Sequence, residues 1–303
     1  MSKYASARPD ARAAPYDGGR VHCPFMPAIE REGVTLYYAA WGEEGAPAVV
    51  LLHGFTSDHR VWRELGNVLE HDFLVVAPDL RGHGHSDAPE SLDLYSMEIY
   101  AEDLRHILDH LEITEATIAG SSFGGMVALQ FATTWPERVS ALILTDTSPA
   151  YERPEYGDAF REREQRIIQM EDTVRRFGME IAASRASRAI VDGFLRESLR
   201  RRYLAMRRAG YLGAAKARRQ RPDLVPLLAE RLTMPVLLCA GEDDPVYSAL
   251  EVMARELPGA RVVTFAGCGH GVPFIKPNAF SAVLGQFLGD VQAGNPIAGR
   301  QRK

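Results

Sequence analysis

The sequence has little cysteine and no long apolar run, and each shortage excludes a class of protein. Cysteine occurs three times in 303 residues, at Cys23, Cys239 and Cys268, without a C-x-x-C pair. An odd, widely spaced set indicates neither a disulfide framework nor a thiolate metal site. No apolar stretch approaches the roughly 20 residues that a membrane-spanning helix needs. We therefore expect a protein of a reducing compartment, the cytoplasm, that has no membrane partner.

An excess of positive charge is also missing. The chain holds 35 Lys and Arg against 40 Asp and Glu, a net charge of −5, so nothing suggests a nucleic-acid partner. Residues 1–25 are polar and rich in Ala, Arg, Pro and Gly, without the apolar core of a signal peptide. We interpret them as a disordered N-terminal extension, with Met26 as a plausible alternative start. The overall content, 46% hydrophobic and 25% charged, is that of an ordinary globular protein.

A serine flanked by glycines lies between a predicted strand and a predicted helix. Gly120 and Gly124 each stand two residues from Ser122, after the apolar run 116–119 and before the helical stretch 126–132. This is the G-x-S-x-G spacing of a nucleophile elbow, a strained turn that lifts the serine oxygen above a sheet. A glycine-rich turn that only permits close helix packing is the alternative, but it does not explain the serine at the tip.

Buried strands and amphipathic helices alternate along most of the chain. Short, continuous apolar runs predict strands covered on both faces, and apolar residues three and four apart predict helices. Their alternation indicates an α/β fold with a doubly wound, mostly parallel sheet. The predicted strands cover residues 34–41, 48–52, 73–78, 116–119, 139–145, 235–240 and 261–265, and the main predicted helices cover 61–69, 97–111, 126–132, 247–257 and 278–288.

The alternation breaks between residues 149 and 222. This segment shows only helical spacing and holds 18 Lys and Arg against 10 Asp and Glu, so it carries +8 while the rest of the chain carries −13. We predict an inserted helical cap over 149–222, with the core formed by 26–148 and 223–291. Residues 292–303 are expected to form a loose C-terminal tail.

Two later loops supply the groups that a reactive serine requires. A serine hydroxyl needs a positioned base, and that base needs an acidic partner. Asp244 and His270 each follow a predicted strand, and the order Ser122, Asp244, His270 is the one expected for this type of sheet. Asp243 and Asp146 are the alternative acids, although Asp146 also suits a hydrogen-bonded turn at a strand end.

The sequence gives no sign of a metal or a cofactor. No cluster of His, Asp and Glu has metal-ligand spacing. The Gly-x-Gly at 82–84 lacks the helix start that a phosphate-binding loop needs, so we predict no nucleotide site. We interpret residues 79–87 as a structural turn network, and His53 as a residue that orients the loop after its strand.

Together these motifs resemble the α/β-hydrolase fold superfamily, in the branch that holds small serine esterases and lactonases. The resemblance covers about residues 26–290 apart from the helical segment. It is carried by the elbow, by His53-Gly54-Phe55, by residues 79–87, by Gly241 to Pro245 and by Gly269-His270.

The resemblance implies an oxyanion hole made by the backbone amides of Phe55 and Phe123. Superfamily members with an aspartate nucleophile, the haloalkane dehalogenases and epoxide hydrolases, are disfavoured because position 122 is serine. Lys276 is a departure, since the family often has an acidic residue before the following proline.

The function that the resemblance implies is hydrolysis of a small-molecule carboxylic ester or lactone through an acyl-enzyme. A carbon–carbon bond (diketone) hydrolase or an acyl-transfer variant would use the same three residues, and a ligand receptor with little turnover is a further alternative. The arginine excess of residues 149–222 is compatible with an anionic substrate, but solvated helix faces explain most of these arginines. We expect a monomer or a homodimer.

Overall fold

The computed structural model describes residues 27–188 and 190–303, so the predicted extension over 1–25 and the alternative start at Met26 lie outside the described residues. Within that range, no helix combines the length and the apolar character that a bilayer crossing requires.

One sheet runs through the described part of the chain, in the strand order β1-β2-β4-β3-β5-β6-β7-β8-β9. The pairs β1/β2 and β2/β4 are antiparallel, and every other neighbouring pair is parallel. The doubly wound, mostly parallel sheet predicted from the alternation is therefore confirmed. The strands are β1 (Ala28–Arg31), β2 (Val34–Trp41), β3 (Ala48–Leu52), β4 (Leu74–Pro78), β5 (Ala116–Ser121), β6 (Val139–Thr145), β7 (Val236–Gly241), β8 (Arg261–Phe265) and β9 (Gly299–Arg302).

Helices connect these strands and cover both faces of the sheet. They are α1 (Arg63–Leu69), α2 (Met97–His110), α3 (Phe123–Thr134), α4 (Asp158–Ser187), α5 (Gly193–Ala205), α6 (Arg208–Gln220), α7 (Val225–Arg231), α8 (Tyr247–Glu256), α9 (Val272–Ile275) and α10 (Pro277–Gln292).

Alternate residues of the central strands enter two separate cores. On β3, Val50 and Leu52 join a core that includes side chains of α2, α3 and α8, whereas Val49 and Leu51 join a core that includes side chains of α1 and α10. Successive side chains of a strand point to opposite faces, so a strand buried on both faces must be apolar at every position. This is why the central strands are continuous apolar runs in the sequence.

Helices α4, α5 and α6 lie between β6 and β7, in the segment 149–222 that the sequence marks as purely helical. Helix α4 is broken at Gly178, whose φ is 80°. Helix α6 touches the loop after β4 where two glycines meet, because a Cβ on Gly210 would lie 2.8 Å from the Cα of Gly82 and closer still to its carbonyl oxygen. This contact, without intervening side chains, brings the helical segment close to the sheet.

The prediction of a loose tail over residues 292–303 is wrong at its end. Strand β9 pairs in parallel with β8, with Gln301 opposite Val263. Two arginines fix it from the side, Arg300 to Glu251 and Arg302 to Glu242. A polar edge strand held by backbone hydrogen bonds and ion pairs has no apolar run, so the patterns that reveal buried strands did not reveal this one.

The contact between Gly210 and Gly82 generates a stability prediction. We expect Gly210→Ala to lower the free energy of unfolding by about 1–3 kcal/mol, because the added methyl must displace backbone rather than a side chain. Gly285→Ala is the matched control, since Gly285 lies inside α10 with open space around its Cβ position. That substitution should raise stability by roughly 0.5–1 kcal/mol through helix propensity. Urea denaturation of both variants measures this, and changes of the same sign would contradict the packing argument.

Candidate active site

The carboxyl ends of five parallel strands meet at one edge of the sheet. The loops after β3, β5, β6, β7 and β8 carry Phe55, Ser122, Asp146, Asp244 and His270 respectively. Strands β3 and β5 are neighbours although β4 separates them in sequence, so the chain winds in opposite directions from this point. Crevices at such switch points are where open α/β sheets bind ligands.

Ser122 lies in a strained turn between β5 and α3. Its φ is 53° and its ψ is −112°, a region that costs a non-glycine residue about 1–3 kcal/mol. The turn is possible because its neighbours lack side chains: a Cβ on Gly120 would meet the carbonyl oxygen of Gly124, and one on Gly124 would meet that of Leu52. The hydroxyl of Thr147 donates to the carbonyl of Ser122 at 2.7 Å and holds the turn from the β6 side.

The three residues selected from the sequence form one hydrogen-bonded chain. The Oγ of Ser122 lies 2.9 Å from Nε2 of His270. The Nδ1 of His270 lies 2.8 Å from Oδ2 and 3.1 Å from Oδ1 of Asp244. With Nδ1–H donating to the carboxylate, Nε2 carries the lone pair that can accept the serine proton. The structure brings these three residues together, and Asp243 is not part of their hydrogen-bonded series.

The loop after β3 approaches the same serine. A Cβ on Gly54 would lie 3.6 Å from the Cβ of Ser122, so the loop that carries Phe55 lies beside the serine. Phe123 contributes the first amide of α3, a position that has no partner within its own helix. Buried His53 fixes the loop: Nδ1 donates to the carbonyl of Gly54 at 2.9 Å, and Nε2 accepts from the amide of Leu80 at 3.0 Å. Burial lowers the pKa of His53, which keeps the ring neutral as this bonding requires.

A sequence profile described as the α/β-hydrolase fold matches residues 47–277 of this chain. The chain belongs to the α/β-hydrolase fold family. The resemblance inferred from the motifs is therefore confirmed at the level of family and fold.

Individual relatives within this family have different names. The chain is 32% identical over 267 residues to a putative 2-succinyl-6-hydroxy-2,4-cyclohexadiene-1-carboxylate synthase of Bacillus subtilis, covering 85% of this chain and 96% of that one. It is 28% identical over 234 residues to 3-oxoadipate enol-lactonase 2 of Acinetobacter baylyi, covering 75% and 82%. A solved structure of a thermophilic esterase from Thermogutta terrifontis, with malate bound, matches at a TM-score of 0.74 and 28% identity, covering 88% and 98%.

Asp146 lies next to Asp244 in this α/β hydrolase. It has a φ of 52°, and one of its oxygens accepts from the amides of Gly271 and Val272 at 3.1 and 2.7 Å. Its carboxyl also hydrogen-bonds that of Asp244. Burial and the charge of Asp244 raise the pKa of Asp146 well above its usual range. Burial opposes ionisation of Asp244 too, but the hydrogen bond from His270 holds the pKa of Asp244 below its ordinary value. Within the pair, Asp244 is therefore the carboxyl that ionises more readily.

Sequence reasoning missed a basic residue in the site. Arg163, on helix α4, places Nη2 3.1 Å from Nε2 of His270, while its Nη1 binds Glu164 at 2.9 Å. Its side chain is 16% exposed. In the sequence Arg163 is one of 18 basic residues in a helical segment, so spacing could not distinguish it from the solvated ones.

A second polar cluster lies in the turn network of residues 79–87. The carboxylate of Asp79 accepts two hydrogen bonds from His59, from its backbone amide and from ring Nδ1, at 2.8 Å each. It accepts two more from the backbone amide and ring Nδ1 of His85, at 2.8 and 3.1 Å. In the described residues these three form a group that could hold a metal ion, with ligand atoms within 4.8 Å of one another. Since four N–H donors already occupy the two carboxylate oxygens, we interpret Asp79 as the anchor that joins two loops.

A cavity of about 500 Å³ opens between helix α5 and the loop that follows Phe55. Residues that line it include Thr56, Asp58, Phe194 and Arg202, but not Ser122 or His270. The cavity borders the loop that carries Phe55 and is not lined by the hydrogen-bonded residues Ser122, His270 and Asp244. It therefore does not contain these three groups.

The environment of His270 predicts the pH dependence of turnover. Burial and then the positive charge of Arg163 lower the pKa of His270 below 6.5, although the carboxylate of Asp244 opposes this, with a smaller contribution from Glu164. An imidazole must be neutral to accept the serine proton, so a reaction that starts with this transfer should persist as the pH falls toward 6.5 and should be half lost only below it. The acid limb of kcat/KM, measured on any substrate that the protein turns over, should have its midpoint below pH 6.5. A midpoint at or above 6.5 would show that the charges around the imidazole are misassigned.

The position of Asp146 predicts different effects for two substitutions. Asp146→Asn keeps an amide donor toward Asp244 and an oxygen acceptor for the amides of Gly271 and Val272. Asp146→Ala leaves those amides and the Asp244 carboxylate without this partner, at about 1–3 kcal/mol for each unsatisfied buried group. We expect the alanine variant to lose at least about tenfold more kcat/KM than the asparagine variant, and to unfold at a lower temperature. Equal losses in the two variants would mean that Asp146 contributes a charge and not a hydrogen bond.

Proposed function

We propose that the protein is a serine hydrolase that cleaves a carboxylic ester or a lactone of a small molecule through an acyl-enzyme. The observation that supports this most strongly is the unbroken chain from the Asp244 carboxylate through the imidazole of His270 to the hydroxyl of Ser122, with contacts of 2.8 and 2.9 Å. Each contact is within the range in which a base and a nucleophile exchange a proton.

The reaction follows from the positions of these groups. Nε2 of His270 takes the proton of Ser122 as Oγ forms a bond to the carbonyl carbon. Asp244 stabilises the imidazolium, and the amides of Phe55 and Phe123 donate to the oxyanion. The bond from carbon to the leaving oxygen then breaks, and that oxygen takes the proton from Nε2. Water enters, gives a proton to Nε2 and attacks the acyl carbon, and Oγ leaves with that proton to regenerate the serine.

Helices α4 to α6 are proposed to act as a cap over this site. Arg163 of α4 reaches the imidazole, and Arg202 of α5 binds the carbonyl oxygen of Phe55 at 3.2 Å. Side chains of the helical segment thus lie on both sides of the reacting groups. The acyl or alcohol part of a substrate would contact them, so these helices would determine its size and polarity.

A second candidate is kept open by one comparison. The relative from Bacillus subtilis is named as a synthase of a cyclohexadiene carboxylate rather than as an esterase, over 96% of its length. The same three residues can therefore be proposed to serve carbon–carbon bond cleavage instead of ester cleavage. A panel of esters, lactones and vinylogous diketones separates the two proposals, because a carbon–carbon bond hydrolase would turn over only the diketones.

Ser122→Ala tests the nucleophile directly. Loss of the nucleophile of such a triad lowers kcat by about 10⁶-fold. We expect the wild type, and not this variant, to gain the mass of one phosphonyl group from a fluorophosphonate, measured on the intact protein. Ser121→Ala is the matched control, because Ser121 is the neighbouring serine, buried at the end of β5. It should still be labelled; labelling that survives in Ser122→Ala would place the nucleophile elsewhere.

A further inference from the structure

Three arginines of the helical segment, Arg163, Arg218 and Arg221, form a cluster with one carboxylate, and two of them bind it directly. Arg163 and Arg218 both bind Glu164, each through one of its two oxygens. Arg221 binds the carbonyls of Arg218 and Ala150 and the hydroxyl of Ser148. Within residues 27–188 and 190–303, Glu164 is the one carboxylate in ion-pair contact with any of these guanidinium groups.

This cluster is buried, so its surplus positive charge is poorly screened. Arg218 is 3% exposed and Arg221 is 8% exposed. The Nε atoms of both are buried without a hydrogen-bond partner in the described part of the chain. Burial and the neighbouring charge of Arg218 lower the pKa of Arg221 to about 9. Buried charges are normally paired, because an unpaired one retains most of its desolvation cost. An anion bound to Arg163 would offset this surplus charge.

The contact of Arg163 with His270 shows which arginine faces the reaction. Nε2 of a neutral imidazole has one lone pair, but two donors lie beside it: the Ser122 hydroxyl at 2.9 Å and the Arg163 amino group at 3.1 Å. Both cannot bond it fully. One amino group of Arg163 thus lacks a committed acceptor and lies at most two hydrogen-bond lengths from the serine oxygen.

That contact also opposes catalysis unless something intervenes. When His270 takes the serine proton it becomes a cation, and a guanidinium at hydrogen-bond distance repels it. A carboxylate that accepts from Arg163 would withdraw the amino group from the lone pair and neutralise the repulsion. A hydrogen bond from guanidinium to an ionised carboxylate is stronger than one to a neutral imidazole.

We propose that Arg163 recognises a carboxylate carried by the substrate, so that the enzyme selects esters or lactones of dicarboxylic acids in which one carboxylate is free. The proposal rests on the proposed ester or lactone hydrolysis and names its substrate class. Because Arg163 is so near Ser122, the free carboxylate must be separated from the reacting carbonyl by a short chain.

The kinetic test compares matched charged and neutral esters. The probes are the monoethyl esters of malonic, succinic, glutaric and adipic acids and the corresponding diethyl esters, assayed by ethanol release at pH 7.5. We expect one half-ester to have a kcat/KM about 10- to 100-fold above its diethyl partner, after division by two for the two equivalent ester groups of the latter. Arg163→Gln should reduce this ratio at least about tenfold, and Arg163→Lys should give an intermediate ratio because it keeps the charge without the planar guanidinium.

The control substitution removes the same charge from the outer side of the same helix. Arg166 is 62% exposed and pairs only loosely, at 3.7 Å, with Glu162. Arg166→Gln should leave the ratio and the activity of the wild type unchanged. If Arg166→Gln lowered the ratio as much as Arg163→Gln does, the effect would come from long-range charge alone, and the proposal would be overturned. An equal rise in kcat/KM for the half-ester and the diethyl ester in Arg163→Gln would also overturn the proposal, because Arg163 would then only obstruct the imidazole of His270.

A binding measurement separates this proposal from the proposed hydrolysis. Calorimetry measures the Kd of succinate, glutarate and adipate for Ser122→Ala and for the same protein with Arg163→Gln added. We expect one dicarboxylate to bind Ser122→Ala, and its affinity for the double variant to be about tenfold or more weaker. If no ester is cleaved but this difference appears, the hydrolysis fails and the carboxylate site stands. If esters are cleaved without charge preference and no dicarboxylate binds, the hydrolysis stands and the carboxylate site is wrong.

Discussion

The close backbone approach at the turn between β5 and α3 is the constraint on which the site depends. A side chain at Gly120 or Gly124 would collide with backbone carbonyls of α3 or β3, so the turn exists only while both positions are glycine. The packing of two central strands holds Ser122 in a conformation that would otherwise relax. The hydroxyl of Ser122 is thus carried by rigid elements. Asp244 and His270 are carried on loops, and they are brought into line by hydrogen bonds.

Those hydrogen bonds form a continuous series through the site. Asp146 lies against Asp244, which accepts from Nδ1 of His270, whose other nitrogen lies between the hydroxyl of Ser122 and the guanidinium of Arg163. Burial and the neighbouring charge shift each pKa: burial and the charge of Asp244 raise the pKa of Asp146, and burial and the charge of Arg163 lower the pKa of His270. A change at either end is therefore transmitted to the base, although neither end touches the serine hydroxyl.

The sequence could predict the features that depend on local pattern, and it failed where partners come from distant segments. Strands buried on both faces are visible as apolar runs, and the elbow is visible because steric exclusion demands glycine at fixed spacing. Strand β9 is polar, and only pairing with β8 makes it a strand. The grouping of Asp79 with His59 and His85 and the contact of Arg163 with His270 join different elements, so no periodicity encodes them.

Composition shows an arginine excess in the helical segment, but only the structure shows which of these arginines face solvent and which lie beside the candidate site. Many of these arginines are neutralised on solvent-facing helix surfaces by a carboxylate three or four residues away, as Arg176 is by Asp172 and Arg201 is by Glu197. Such pairs add only a few tenths of a kcal/mol and carry no information about a ligand. Arg163 belongs to the same helix as Arg176 but points toward the base and shares its carboxylate with Arg218. A net count of charge does not distinguish Arg163 from Arg176. Of these two, burial and pairing give only Arg163 a reason to bind an anion.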